Sequence, residues 1–363
     1  MIETDREHTL LKESNKQKWK RLLVVAGTLL AVIFIFSRSS MLSEAYMQTA
    51  YPVIATLFSF ISGIFPFSLY DLLIVAALIW FTGMTVRVIL RKITLSAFFY
   101  SLLRFSLIVV AWFYLSWGIA YFRDDFYTRN EVEEVPFDKE NLHNVTLRFI
   151  ANANRFYVIS DEMDKADVRD EIEHSYRQHH QTLRLTDPNG KRRVKAMIFE
   201  PIYSKMGVSG YFGPFFNEIH VNNYSLPFTY PFTLAHEMAH QYGIAPESEA
   251  SLYAFIVCAG SSDPVVRYSG YASVLGYLLR DARRLLPDAY KSLLQSIRPE
   301  IIADMQRNSA HWMAARNETL SDTQDKMYDV YLKTNQVSSG RDNYSEVVGL
   351  LLSGYDLLED AVE

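Results

Sequence analysis

Leu234-Ala235-His236-Glu237-Met238-Ala239-His240, followed by Gln241-Tyr242-Gly243-Ile244-Ala245-Pro246-Glu247-Ser248-Glu249-Ala250, decides how this chain is read. Two histidines four residues apart lie on one face of a helix, about a turn from each other, so both imidazoles can reach one metal ion. Glu237 stands between them, where it can take a proton from a water that the ion activates. Pro231 suits the first turn of a helix, and Phe232, Leu234, Ala235, Met238 and Ala239 suit its buried side. Gly243 marks the stop. Pro246 opens a second helix, with Glu247 and Glu249 at its start. The stretch predicts helix, tight turn, helix, which can bring a carboxylate back over the two imidazoles. A catalytic zinc site usually has three protein ligands and a water. Glu249 is the expected third ligand; Glu247 is the alternative, as ligand or as support for one. Acids are also favoured at a helix start by the helix dipole alone.

Outward from this motif, the N-terminal third of the 363-residue chain is apolar and aromatic, and the rest is charged. Three runs, at about residues 20–37, 69–90 and 102–122, each approach the ~20 residues that cross a hydrocarbon core. Residues 50–66 are a fourth apolar stretch, interrupted by Pro52, Gly63 and Pro66, and predict a surface-lying or re-entrant segment. The first run is expected to stay uncleaved, because Ser37-Arg38-Ser39-Ser40 offers no small-x-small site. Arg6, Lys12, Lys16, Lys18, Lys20 and Arg21 precede the first run, and Arg87, Arg91, Lys92 and Arg104 lie around the gap between the second and third. Residues 37–68 hold only Arg38. Positive charge favours the cytoplasmic side. A multi-pass protein of the cell inner (cytoplasmic) membrane is therefore expected, with a cytoplasmic N-terminus. Residues after about 123 would be extracytoplasmic, periplasmic where an outer membrane exists.

The expected fold class is an α-rich membrane protein: three N-terminal transmembrane helices and a mainly helical α+β outer domain with a small sheet. Residues 1–122 read as the anchor, 123–137 as a charged linker and 138–363 as the outer domain. Helices are predicted at about 138–150 and 161–185, and near 264–286, 288–307, 318–334 and 344–359. Asp187-Pro188-Asn189-Gly190 predicts a turn, and residues 194–200 and 218–222 predict short strands. The second strand stands just before the motif helix, where an edge strand could pair with an extended peptide by main-chain hydrogen bonds. Gly207, Gly210 and Gly213 around Tyr211-Phe212 predict a loop that approaches closely.

The net charge of -5, with no basic run beyond the membrane flanks, argues against nucleic acid as a partner. One cysteine, Cys258, excludes an intrachain disulfide and a two-cysteine zinc site. Few ionisable residues fall in the three apolar runs, which argues against a transport pathway. The motif helix itself is too polar in its surroundings to span a bilayer.

The run from Gly210 to Ala250 resembles a bacterial family of unknown function whose members look like membrane-anchored zinc metallopeptidases of the Glu-zincin type. Residues 327–355, with Tyr328, Tyr331, Tyr344, Val347 and Val348, are similar to the same family's C-terminal region. Where the family carries Arg-Gly-Phe-Ala-Arg-Glu-Asp-Glu-Ala-Asn-Phe after the second histidine, this chain has Gln241 to Ser251. It keeps the two glutamates and the Glu-Ala pair but not the basic residues. The resemblance implies a zincin-like peptidase domain with one Zn2+ per chain on His236, His240 and Glu249, and Glu237 as general base. The implied partners are a peptide or protein substrate, met at the membrane surface, and membrane lipid. Tyr211, His220, Tyr242 and Tyr344 are the candidates for oxyanion or substrate contacts. The alternative is a catalytically silent zincin-like scaffold or sensor with a structural metal site.

Overall fold

The computed structural model describes residues 2–186, 193–335, 337 and 346–354, leaving aside the side chains of residues 2–15. The turn expected at 187–190 lies outside the described residues, as does Tyr344. Four long helices lead: α1 (Ile2–Ser37), α2 (Ser40–Gly63), α3 (Leu69–Ile89) and α4 (Leu95–Ser116). Three of these are long and apolar enough to cross a membrane, over Lys16–Ser37, Leu69–Ile89 and Leu95–Ser116.

The third span differs from the expected 102–122. It starts earlier because Thr94 caps it, accepting from Ala97 N at 3.2 Å. It also ends earlier: Gly118–Phe122 forms a 3-10 turn. Trp117, Ile119, Ala120 and Phe122 spend their apolar surface on protein packing instead.

α2 is also a correction. The stretch expected to be broken at Pro52 is one continuous helix through it. Ser43, Met47, Tyr51, Ala55 and Ser62 recur at helical spacing and are buried against the rest of the protein. That packing outweighs the ~3 kcal/mol a proline costs inside a helix.

A short α5 (Phe126–Asn130) lies in the stretch read as a linker. It is packed, not free: Phe126 belongs to the main core and Asn130 is buried. Then come α6 (Lys139–Phe156), capped by Asp138, and α7 (Lys165–His179), capped by Asp164. The small sheet follows: β1 (Val194–Lys195), α8 (Glu200–Met206), β2 (Gly210–Gly213) and β3 (Glu218–Val221). The strand expected over 194–200 shrinks to two residues because α8 begins at Glu200.

The strand order is β1-β3-β2, with β1 parallel and β2 antiparallel to β3. The strand expected as an edge, β3, is therefore central and fully buried. The edges are β1 and β2, the latter in the glycine-rich stretch read as a loop.

The remaining helices are α9 (Tyr230–Gln241), α10 (Glu247–Ala259), α11 (Pro264–Leu285), α12 (Pro287–Gln295), α13 (Pro299–Ala315), α14 (Glu318–Thr334) and α15 (Val347–Ser353). The helix expected over 288–307 divides before Pro299, which opens α13.

α10 is buried along its whole length and packs between α9, α11 and α15 at the centre of the main core. A second core of Met47, Tyr51, Ala55, Trp117, Ile119, Ala120 and Ala245 joins α2 and the end of α4 to the turn after α9. Anchor and outer domain thus share packed apolar surface.

Candidate metal centre

α9 and α10 are joined by the tight turn that Gly243 permits. Its φ is +88°, and a Cβ there would fall 2.6 Å from Met47 Cε. The turn folds the start of α10 back over α9. Glu247, the first residue of α10, faces the two histidines. Its Oε2 lies 2.9 Å from His236 Nε2 and 3.4 Å from His240 Nε2. Glu249, two positions on, is ~200° around the helix. It points to the opposite side and forms a buried ion pair with Arg129 of α5. The carboxylate beside the histidines is Glu247, not the expected Glu249. Among the described residues, His236, His240 and Glu247 are the group whose ligand atoms all lie within 4.8 Å of one another.

The donor chemistry fits a metal ion. His240 Nδ1 lies 2.7 Å from Ile244 O, which can only accept, so the proton sits on Nδ1 and Nε2 is turned inward. His236 Nδ1 is 3.3 Å from Ser251 Oγ, which orients the second ring. The two Nε2 atoms are 3.2 Å apart. Two imidazole lone pairs at that distance call for a proton or a cation between them.

Electrostatics couple the same groups to one another. Burial pushes His236 below its ordinary value. Burial would also lower His240, but the Glu247 carboxylate beside it outweighs that and lifts it to about 9. Burial would raise Glu247; the charge on His240 and hydrogen bonds from both imidazoles hold it well below the usual carboxylate range. Glu237 is buried, and that burial lifts it to about 8 against the opposing pull of His240. Strand β2 closes over it: a Cβ on Gly210 would lie 2.7 Å from Glu237 Oε1.

Of the proposed contact residues, Tyr344 lies outside the described residues, and Tyr211, His220 and Tyr242 make their contacts away from the metal cluster. Side chains alternate across the sheet, and Phe212 faces Trp117 on the α9 side. Tyr211 and His220 face away. Tyr211 donates to Asp71 at 2.6 Å, stacks on His220 at 4.1 Å, and His220 Nε2 meets Ser68 Oγ at 2.8 Å. Tyr242, at the end of α9, packs on Tyr176.

The hydroxyl that does reach the cluster belongs to Tyr328 of α14, which donates to Glu247 Oε1. Tyr331, one turn on, stacks against Tyr328 and meets Tyr121 OH at 3.2 Å. Tyr328 stood in the C-terminal resemblance without a role. Only the pairing of two tyrosines three apart, on one helix face, marked it.

The far end of α9 is held by the anchor region. Trp117 Nε1 donates to His240 O at 2.7 Å, Tyr51 OH to Gln241 O at 2.6 Å, and Arg123 to Gly243 O at 3.0 Å. Arg123 is fixed in turn by a 2.9 Å ion pair with Glu44.

Fold and site together define a helix-rich protein with three membrane-type helices and a buried histidine–histidine–glutamate cluster able to hold a metal ion. The chain belongs to a family of proteins of unknown function, DUF3810, whose model matches residues 46–352. Comparison with curated proteins and with solved structures gives no match.

Proposed function

We propose that this chain is a membrane-anchored zinc metallopeptidase in which His236, His240 and Glu247 hold the ion and Glu237 is the general base. The distribution of Lys and Arg supports an extracytoplasmic position for the metal domain. The observation that carries the proposal is the convergence of two imidazole nitrogens and one carboxylate oxygen, with the Glu237 carboxyl buried beside them.

Zinc bound there would supply Lewis-acid activation of a water and of the scissile carbonyl. Two histidines and one glutamate are a common donor set for catalytic zinc. Glu237, buried beside the ion site, is placed to take a proton from that water and deliver it to the leaving amine. The Tyr328 hydroxyl is the donor best placed to stabilise the developing oxyanion. β2 is an edge strand of the sheet, and an extended peptide could pair along it beside Glu237.

The test is a defined peptide library incubated with the detergent-purified protein and with Glu237→Gln. Cleavage by the wild type, absent in the variant and after chelation, supports the proposal. The rival is a silent scaffold or sensor with a structural metal. It draws on the closure of the site, whose histidines and Glu247 are little exposed and whose Glu247 is seated against Tyr328. Zinc retained by both proteins, with identical inactivity across the library, would favour the rival.

A further inference from the structure

We infer that α2 lies in the bilayer interface on the side of the metal domain, with lipid covering its outer face, so that the metal centre is fastened to the membrane surface itself. From Ala45 to Tyr70 the chain has no Asp, Glu, Lys or Arg. The inner face of α2 is used by the second core. Its outer face is a stripe of Val53, Leu57, Phe60 and Ile64, exposed by 54–71% and recurring at helical spacing. Such a stripe in water is unfavourable. The membrane-type helix α3 follows after only five residues.

An independent observation is how the backbone at this corner is satisfied. The last carbonyls of a helix normally turn to water. Here the buried Lys195 ammonium donates to Ser62 O at 2.5 Å and Phe65 O at 2.6 Å, and Arg193 reaches Gly63 O at 3.3 Å. The first N–H groups of α3 are met the same way: Glu218 accepts from Leu69 N at 3.1 Å and Tyr70 N at 2.9 Å, and Ser68 Oγ from Asp71 N at 2.9 Å. Irregular backbone at membrane depth requires such internal partners. Ile64, Phe65 and Phe67 meanwhile turn their side chains outward. Interfacial helices bury an apolar face ~5–10 Å into the lipid boundary. Tyr51, on the opposite face of α2, holds the end of α9. The metal helix is therefore separated from lipid by about one helix diameter, ~10 Å.

The test is spin labelling of V53C, L57C, F60C and I64C in liposomes of mixed zwitterionic and anionic lipid. Cys258 is fully buried and gives little background. L78C, in α3, is the lipid-exposed reference; I159C, on the outer domain, is the water-exposed one. All six side chains already face outward, so the substitutions leave the packing in place. The expected result is oxygen accessibility like L78C and severalfold fewer collisions with a water-soluble nickel complex than I159C. Nickel accessibility matching I159C at the four α2 positions would overturn the inference.

Discussion

Two glutamates two positions apart have opposite fates. Glu247 meets the imidazoles and Glu249 meets Arg129, with both side chains of that ion pair about 95% buried. Arg129 is held charged: burial would lower it, but the carboxylate beside it raises it further. Removing one partner of a buried pair leaves an uncompensated charge, at a cost of ~3–5 kcal/mol. Glu249→Gln should therefore lower the denaturation midpoint sharply while leaving metal content near the wild-type level, readable by denaturant titration beside elemental analysis. Tyr328→Phe removes a hydroxyl but little volume. It should keep the metal and, if that hydroxyl serves the oxyanion, lower kcat by roughly 10²–10³-fold. The histidine pair and Glu237 were legible in the sequence because their spacing alone puts them together. The choice between Glu247 and Glu249 was not, because it depends on the angle at which a five-residue turn returns the chain. Tyr328 was beyond reach for a different reason: it lies 81 positions from Glu247, and no local pattern encodes that contact.

Among elements, β2 is the most consequential one that the sequence concealed. Gly210-Tyr211-Phe212-Gly213 has the composition of a loop, yet it is the strand that covers Glu237, the proposed general base. Glycine is needed at 210 for space: a Cβ there would also sit 2.9 Å from Glu237 Cγ and from Thr233 Cγ2. Gly210→Ala should cost ~1–3 kcal/mol through overpacking. It should also displace Glu237, so that activity falls while zinc remains. Measuring both separates it from a ligand mutant. The helix start at Asp138 was read from its capping side chain, whereas the starts capped by Asp164 and Thr94 were placed three residues too early and seven too late. Strand position was not legible, since β3 is central only because β1, more than twenty residues earlier, and β2, read as a loop, flank it. The apolar run through Trp117–Phe122 misled for the same reason: apolar surface can face lipid or a protein core, and composition does not separate them.

At the scale of the whole molecule, anchor and outer domain meet through a buried polar joint. His220, Glu218 and Lys195 of the sheet face Ser68 at the start of α3. Burial drives His220 from 6.5 down to about 3, so the fold holds it neutral. Its contribution to stability is present above pH 6.5 and is lost as pH falls from 6.5 towards 3, at ~1.4 kcal/mol per pH unit. Glu218 is raised by burial and partly offsets this, but the large shift belongs to His220. The detergent-solubilised protein should be markedly less stable at pH 5 than at pH 7, and His220→Gln should flatten that difference. The sequence read anchor and outer domain as separate pieces joined by a linker. The shared core around Tyr51 and Trp117 packs α2 and the end of α4 against the turn after α9, and Arg129 of the stretch between them pairs with Glu249. The central claim concerns the metal, and elemental analysis of the purified protein tests it most directly. One zinc per chain is expected in the wild type, in Glu237→Gln and in Glu249→Gln, and none in His236→Ala or Glu247→Ala. A wild type without metal after zinc add-back, or a Glu247→Ala protein that still holds a full equivalent, would contradict the account.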